Sequence, residues 1–218
     1  MIASGRYARR VPSPFHLIHV DEQLLVVEKP PGLPSVPGRL EPWLHQNLAS
    51  FVQAEWPDAR VVHRLDMATS GLMLFARGIE AQRRLGLAFE KRRVAKRYEA
   101  VVEGIVAGDS GEVSEPLIVD WPKRPRQIVD PVNGRPALTR WQVLARADDH
   151  TRVALEPVTG RSHQLRVHLQ HIGHPIRGDE FYAPEPLQAP RLLLHACRLA
   201  FDHPGSGEPC VFESPCPF

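Results

Sequence analysis

Short runs of apolar and β-branched residues, each cut off by proline, glycine or an acidic turn, recur along the chain and narrow most what it can fold into. "HLIHV" and "LLVVEKP" are separated by Asp-Glu-Gln and followed by the turn-rich "PPGLPSVPG"; "VVHRLD" and "GLMLFAR" flank a Thr-Ser-Gly turn. Runs of this length suit strands and leave little room for a helical bundle. The 22 prolines are spread as loop punctuation over 218 residues rather than gathered into a linker.

More strands are expected in "VAKRYEAVVEG", which Gly104 stops, in "GEVSEPLIVD", and in "PALTRWQVLARA" and "TRVALEPVTG" joined by a turn at "ADDH". "RLLLHACRLAFDH" reads as a buried strand. Three segments carry helical spacing. Residues 41–57 place Trp43, Leu44, Leu48, Phe51 and Val52 on one face before Pro57. Ile79 to Arg92 turn Leu85, Ala88 and Phe89 inward, and residues 162–173 are opened by Ser162 as an N-cap and closed by Gly173. The pattern predicts an α+β fold built on a mixed, mainly antiparallel sheet flanked by helices and loops. With no internal repeat or Gly/Ser linker, residues 15–218 are expected to form one domain behind a flexible tail, 1–14, whose sequence lacks the apolar core of a secretory signal.

Composition excludes several classes of protein. No stretch approaches the ~20 apolar residues that a membrane-spanning helix needs, so no membrane partner is expected. Cys197, Cys210 and Cys216 form no C-x-x-C pair, which fits a reducing cytoplasm better than a disulfide framework. No coiled-coil heptad appears, and a monomer is expected. The net charge is only +2, but between Arg83 and Arg97 seven lysines and arginines face a single acid, Glu90. That segment suits phosphate, or simply a solvated helix face.

Asp66, in "HRLDMATSGL", is a lone acid set between a cation and a glycine. Paired-carboxylate hydrolysis needs a second acid at a defined distance, and the nearest in sequence, Asp58 and Glu80, lie beyond the expected strands. Two uses stay open. The carboxylate caps the turn through the amides of Ala68 or Thr69. Alternatively it stays ionised beside an arginine, Arg64 or Arg166, and acts as nucleophile or base.

"GRSHQLRVHLQHIGHPIRGDEFY" holds His163, His168, His171 and His174. His163 and His168 are five apart and diverge around a helix, and no H-E-x-x-H or cysteine partner completes a site, so no metal is expected. Leu165, Leu169 and Ile172 mark the buried face of this helix. Arg161 sits at or just before the helix start, where free amides and its own guanidinium together suit a phosphate. Tyr98, in "KRYEA", is either a packing residue or, with Lys96 and Arg97 beside it, part of a grip on an unstacked base.

Taken in order, "HRLDMATSGL", "KRYEAVVEG", "GRSHQLRVHLQHIGHPIRGDEFY" and "RLLLHA" resemble the successive motifs of the RluA family of RNA pseudouridine synthases. The resemblance runs from about "LLVVEKPPGLPSVPG" to the end of the sequence. It implies a largely antiparallel sheet split by an active-site cleft, with no cofactor and an RNA partner. It assigns Asp66 as the catalytic aspartate, Tyr98 as the tyrosine that stacks on the flipped uracil and helps remove its C5 proton, and Arg166 as the basic residue paired with the aspartate. Arg64 matches the arginine that enters the RNA stack, and His63, Thr69, Arg161 and Leu165 fall among the substrate-binding positions. "SVPGRLE" and "DWPKRPRQ" are similar to a member that modifies both 23S ribosomal RNA and the tRNA anticodon stem-loop. No S4 RNA-binding segment precedes the motifs, so RNA affinity is expected to rest on the catalytic domain. The competing reading is a noncatalytic RNA-binding protein that uses residues 83–97.

Overall fold

The computed structural model describes residues 14–184 and 189–218, and the tail expected over 1–14 lies outside them except for Pro14. The elements run β1 (His16–Val20), β2 (Leu24–Lys29), α1 (Leu48–Glu55), β3 (Ala59–Val61), β4 (Ser70–Arg77), α2 (Gly78–Glu90), β5 (Ala95–Glu103) and β6 (Ser110–Val113). They continue with β7 (Leu117–Val119), a 3-10 turn (Trp121–Lys123), β8 (Gln127–Val129), β9 (Thr139–Arg146), β10 (His150–Pro157), α3 (Gln164–His171), β11 (Leu194–Asp202) and β12 (Pro209–Glu213). Strands outweigh helices, as the short apolar runs require, and the class is α+β.

Ten strands make one sheet in the order β1-β2-β4-β11-β5-β10-β9-β6, with β3 added beside β4 and β12 beside β11; β7 and β8 pair separately. Every pairing is antiparallel except β4 with β11, which run parallel and touch only at Ser70–His195 and Gly71–Ala196. Beyond that contact the two strands take different partners. Phe75 to Arg77 of β4 pair with β3, and Arg198 to Asp202 of β11 pair with β12. The sheet therefore forks. Gly71 permits the contact: at φ +112° it carries no Cβ, and a Cβ there would come within 2.6 Å of the Ala196 amide nitrogen.

Strands β2 and β4 are covered on both faces, which explains why they read as unbroken apolar runs rather than as alternation. Leu24, Val26, Leu72 and Leu74 pack on one side with Ala81 and Leu85 of α2. Leu25, Val27, Met73 and Phe75 pack on the other with Leu48, Ala49 and Val52 of α1. A further core, including Val153, Leu155, Leu165 and Leu169, seats α3 on the C-terminal half of the sheet. Truncating a filled position such as Phe75 to alanine costs about 3–5 kcal/mol.

Local expectations fail where a distant side chain intervenes. The first helix starts at Leu48, not near 41, because Asn47 accepts the Ser50 amide at 3.0 Å while its own amide group bonds the carbonyls of Trp43 and Leu44. Trp43 and Leu44 consequently lie outside the helix. "VVHRLD" is strand only as far as Val61. Ser162 does not cap α3. The capping position is His163, in the left-handed region at φ 53°, with no side-chain cap bond.

Candidate active site

The chain around Asp66 is irregular because it is tied from behind. Lys29, fully buried at the end of β2, donates its ammonium hydrogens to the carbonyls of Pro30 and Leu33 at 2.8 Å and of Met67 at 3.0 Å. Ser35 bonds both backbone groups of Leu65, donating at 2.6 Å and accepting at 3.0 Å. Residues 65 and 67 are thus fixed on either side of the acid. The turn closes through the Thr69 amide and the Asp66 backbone carbonyl at 3.1 Å. The carboxylate itself accepts no hydrogen bond among the described residues, so the side-chain cap is not formed.

That carboxylate faces α3. Its Oδ2 lies 3.5 Å from Nη1 of Arg166 and 4.0 Å from Nε2 of His163, and its side chain is 21 % exposed against 2 % for Arg166. Arg166 is held by a second acid: Asp179, wholly buried, accepts from its Nε and Nη2 at 2.7 Å each. The guanidinium also packs 5.3 Å from the Phe181 ring and 5.2 Å from the Tyr182 ring. Burial works against its charge, but the Asp179 carboxylate, and then Asp66, hold its pKa above the usual value.

His163 is oriented from its far side. The Tyr182 phenol oxygen accepts the Gln127 amide at 2.8 Å and lies 2.7 Å from Nδ1 of His163. With one lone pair taken by the Gln127 amide, the phenol still has a hydrogen to donate to Nδ1 and a second lone pair with which to accept from it, and either bond fixes the ring with Nε2 towards Asp66. Burial, opposed by the Asp66 charge, pushes this imidazole's pKa down.

All eight site residues read from the sequence line one cleft of about 910 Å³: Asp66, Tyr98, Arg166, Arg64, His63, Thr69, Arg161 and Leu165. Tyr98 comes from β5, opposite Leu155 and Ala196 in register. Burial, then the Asp66 charge, raises its pKa and keeps the phenol protonated. Arg64 is exposed and makes no hydrogen bond or ion pair among the described residues. His63 stacks on Phe89 with centroids 4.7 Å apart and accepts the Leu74 amide on Nε2. Burial, then the charge of Lys96, brings its pKa down to about 3.

Just before α3 the Arg161 amide is taken by Oε1 of Gln164 at 3.0 Å, and its guanidinium bonds the Pro136 carbonyl at 3.1 Å on the cleft wall. The histidines share no metal site. His168 is spent on Thr139 and the Glu115 carbonyl, His174 on the Glu103 carbonyl, and no ligand cluster occurs among the described residues.

Lys29, His163, Asp179 and Tyr182 were missed by sequence reasoning as members of the site. "GDEFY" carried the best signal for two of them, an acid just after a glycine and before paired aromatics.

A carboxylate that accepts no hydrogen bond among the described residues, set beside an arginine in a cleft whose charged residues are mostly cations, suits an enzyme that rearranges bonds within one bound residue. Asp179, the acid nearest to it through Arg166, is buried and committed to that guanidinium, while Glu90, Glu156 and Glu213 also line the cleft. Residues 23–171 match the family model described as RNA pseudouridylate synthase. The chain is 48% identical over 205 residues to the Dual-specificity RNA pseudouridine synthase RluA of Pasteurella multocida (strain Pm70), with 93% of each chain covered. The protein of the same name from Escherichia coli (strain K12) gives the same identity and coverage. Among solved structures, Human RNA Pseudouridylate Synthase Domain Containing 1 superposes with a TM-score of 0.80 at 27% identity, covering 94% of this chain and 85% of that one. Human RNA Pseudouridylate Synthase Domain Containing 4 gives 0.72 at 27% identity, covering 93% and 88%. The chain belongs to the RNA pseudouridylate synthase family and is an isomerase that makes pseudouridine in RNA.

Proposed function

We propose that residues 15–218 form one catalytic unit that isomerises uridine in the loops of 23S ribosomal RNA and of the tRNA anticodon stem, with Asp66 as the reactive acid. The observation that carries this reading is that Asp66, Tyr98 and Arg166, from three separate segments, line one cleft.

The reaction breaks C1′–N1, turns the uracil, forms C1′–C5 and loses the C5 proton while N1 gains one. Nothing is oxidised or hydrolysed, so we assign no cofactor and no metal. The base must first leave its stack, at a cost of a few kcal/mol. Arg64, unpaired and exposed, is suited to fill the gap. Attack by the acid on the sugar or base, and removal of a sugar proton to give a glycal, both require a carboxylate with unoccupied oxygens, as Asp66 has. Arg166 holds that charge in place. Tyr98 stacks on the turned base and helps remove its C5 proton, with burial and then the Asp66 charge holding its phenol in the protonated form before reaction. His63, Thr69, Arg161 and Leu165 shape the cleft around the nucleotide.

The dual-specificity relatives support two RNA targets. We assign the enzyme to the cytoplasm as a monomer; its three free thiols suit a reducing compartment, and no helix among the described residues is long and apolar enough to cross a membrane. Tritium release from 5-tritiated uridine in each of the two RNA stem-loops tests the reading. Release from both is expected, and release from neither overturns it.

A further inference from the structure

We propose that the hairpin of β7, the Trp121–Lys123 turn and β8 is an arm that holds the RNA strand beside the target uridine. Trp121 stacks on an unpaired base, and Lys123 and Arg124 neutralise phosphates. The proposal rests on the pseudouridine synthase reading and names the surface outside the cleft that its substrate requires.

The hairpin is no part of the main sheet: Leu117, Ile118 and Val119 pair with Val129, Ile128 and Gln127, and at its base Leu117 also bridges Arg135. Its stem is well anchored. Leu117 is buried with Ala137, Val167 and Tyr182, and the Asp120 amide reaches the Arg126 carbonyl at 2.9 Å. Its tip has no internal work to do. Trp121 is 64 % exposed, and every residue from Trp121 to Pro125 is exposed. A tryptophan on a fixed turn that leaves this much surface in water has an aromatic face to offer beyond its contact with Arg124.

The chemistry of the tip selects the partner. From Trp121 to Arg126, "WPKRPR", three cations occur and no acid. The Arg124 guanidinium lies 4.7 Å over the Trp121 ring, an arrangement in which an aromatic face and a phosphate ligand are presented together. An aromatic platform with flanking cations grips single-stranded nucleic acid without demanding a sequence. Arg126, on the inner side, rests 5.4 Å over the Tyr182 ring and keeps a buried Nε that bonds nothing among the described residues.

The arm is also continuous with the cleft. Gln127 bonds Tyr182, Tyr182 meets His163, and His163 faces Asp66. A strand whose uridine reaches Asp66 therefore passes near the hairpin stem, and the neighbouring nucleotides fall to its tip.

The test uses the whole chain and a synthetic RNA hairpin with a uridine in its loop. Trp121→Ala should weaken Kd about tenfold, the size of one lost base–aromatic stack, and Trp121→Phe should recover most of it. Lys123→Ala with Arg124→Ala should reduce the slope of log K against log salt by about 1 to 2, since each phosphate contact contributes about 0.7 to 0.9. In both variants the single-turnover rate at saturating RNA should change less than Kd. Parent-like Kd and salt slope in both variants, with the parent active, would overturn the arm, including the case in which the tip serves a protein instead. Arm-dependent binding by a parent that forms no pseudouridine would support the arm while removing the activity reading.

Discussion

Arg166 meets Asp66 through Nη1 alone, at 3.5 Å, because its Nε and Nη2 are both committed to Asp179 at 2.7 Å. The buried carboxylate fixes the plane of the guanidinium, and the cleft-facing one receives its charge without a hydrogen bond. Asp66→Asn leaves the buried pair untouched. Its melting temperature should match the parent, while tritium release falls about 10²–10⁴-fold or more. Asp179→Asn keeps the shape and removes the charge that offsets Arg166. Losing one partner of a buried pair costs about 3–5 kcal/mol, and kcat should fall by a larger factor than KM rises, since Arg166 is no longer aimed. An Asp66→Asn protein that works at the parental rate contradicts the assignment.

The strands were legible because two packed layers on β2 and β4 demand apolar residues at every position, a demand visible locally. Segment 62–69 was not. It looks like more strand, and it is held irregular by Ser35 and by Lys29, both more than 25 residues away. The site divides in the same way. Asp66, Tyr98 and Arg166 stand in motifs that carry their own signal, whereas His163 and Asp179 matter only through partners that the fold supplies. Ser162 illustrates the cost of local reasoning: Gln164 bonds back to the Arg161 amide, and the chain enters α3 through a left-handed His163 instead.

His163 carries two properties that mutation can separate. Its left-handed backbone, φ 53°, is tolerated by asparagine but costs alanine about 1–2 kcal/mol. Its ring links Tyr182 to the Asp66 carboxylate. His163→Asn should therefore keep the parental stability and lose about tenfold or more in kcat, and His163→Ala should lose stability as well. Denaturant midpoints together with single-turnover rates distinguish the two. Equal rates for His163→Asn and the parent would remove the ring from the site.

Gly71 joins the two halves of the forked sheet. At φ +112°, any side chain collides with the backbone of Ala196, and the parallel contact it permits is only two residue pairs long. Gly71→Ala should separate β4 from β11, destabilise the chain by at least about 1–3 kcal/mol from backbone strain alone, and displace Asp66 five residues upstream. Expression with a parental melting temperature would contradict this. Gly86→Ala is the control: on α2, with nothing near its absent Cβ, it should stabilise by about 0.4–1 kcal/mol.

Stability should drain on the acid side of neutrality, before most carboxylates titrate. Burial, as the leading cause, pushes His163, His168 and His195 below the ordinary value of 6.5 and His63 down to about 3. The rings are already occupied as neutral groups, His195 between Ser70 and Ser214 at 2.9 and 3.0 Å and His168 between Thr139 and the Glu115 carbonyl. Between the folded and unfolded pKa values the unfolded chain binds more protons, so unfolding free energy rises with pH there. The contribution is complete above about 6.5 and is lost as pH falls towards the folded values, for His63 as far as about 3. Asp21 adds a later loss between 3.8 and about 2, where burial is outweighed by its bonds to His19 and the Gln23 and Leu24 amides. Lys29 has the same sign at higher pH. Burial lowers it from 10.5 to about 7, so its unfolded form carries the extra proton between those values and stability gains as pH rises across them. Urea midpoints should decline from pH 7.5 to pH 5 with uptake of more than one proton on unfolding, each proton contributing about 1.4 kcal/mol per pH unit. A midpoint that stays level over that interval would mean that these imidazoles take up protons as readily in the folded chain as in the unfolded one, and that their burial does not hold them neutral.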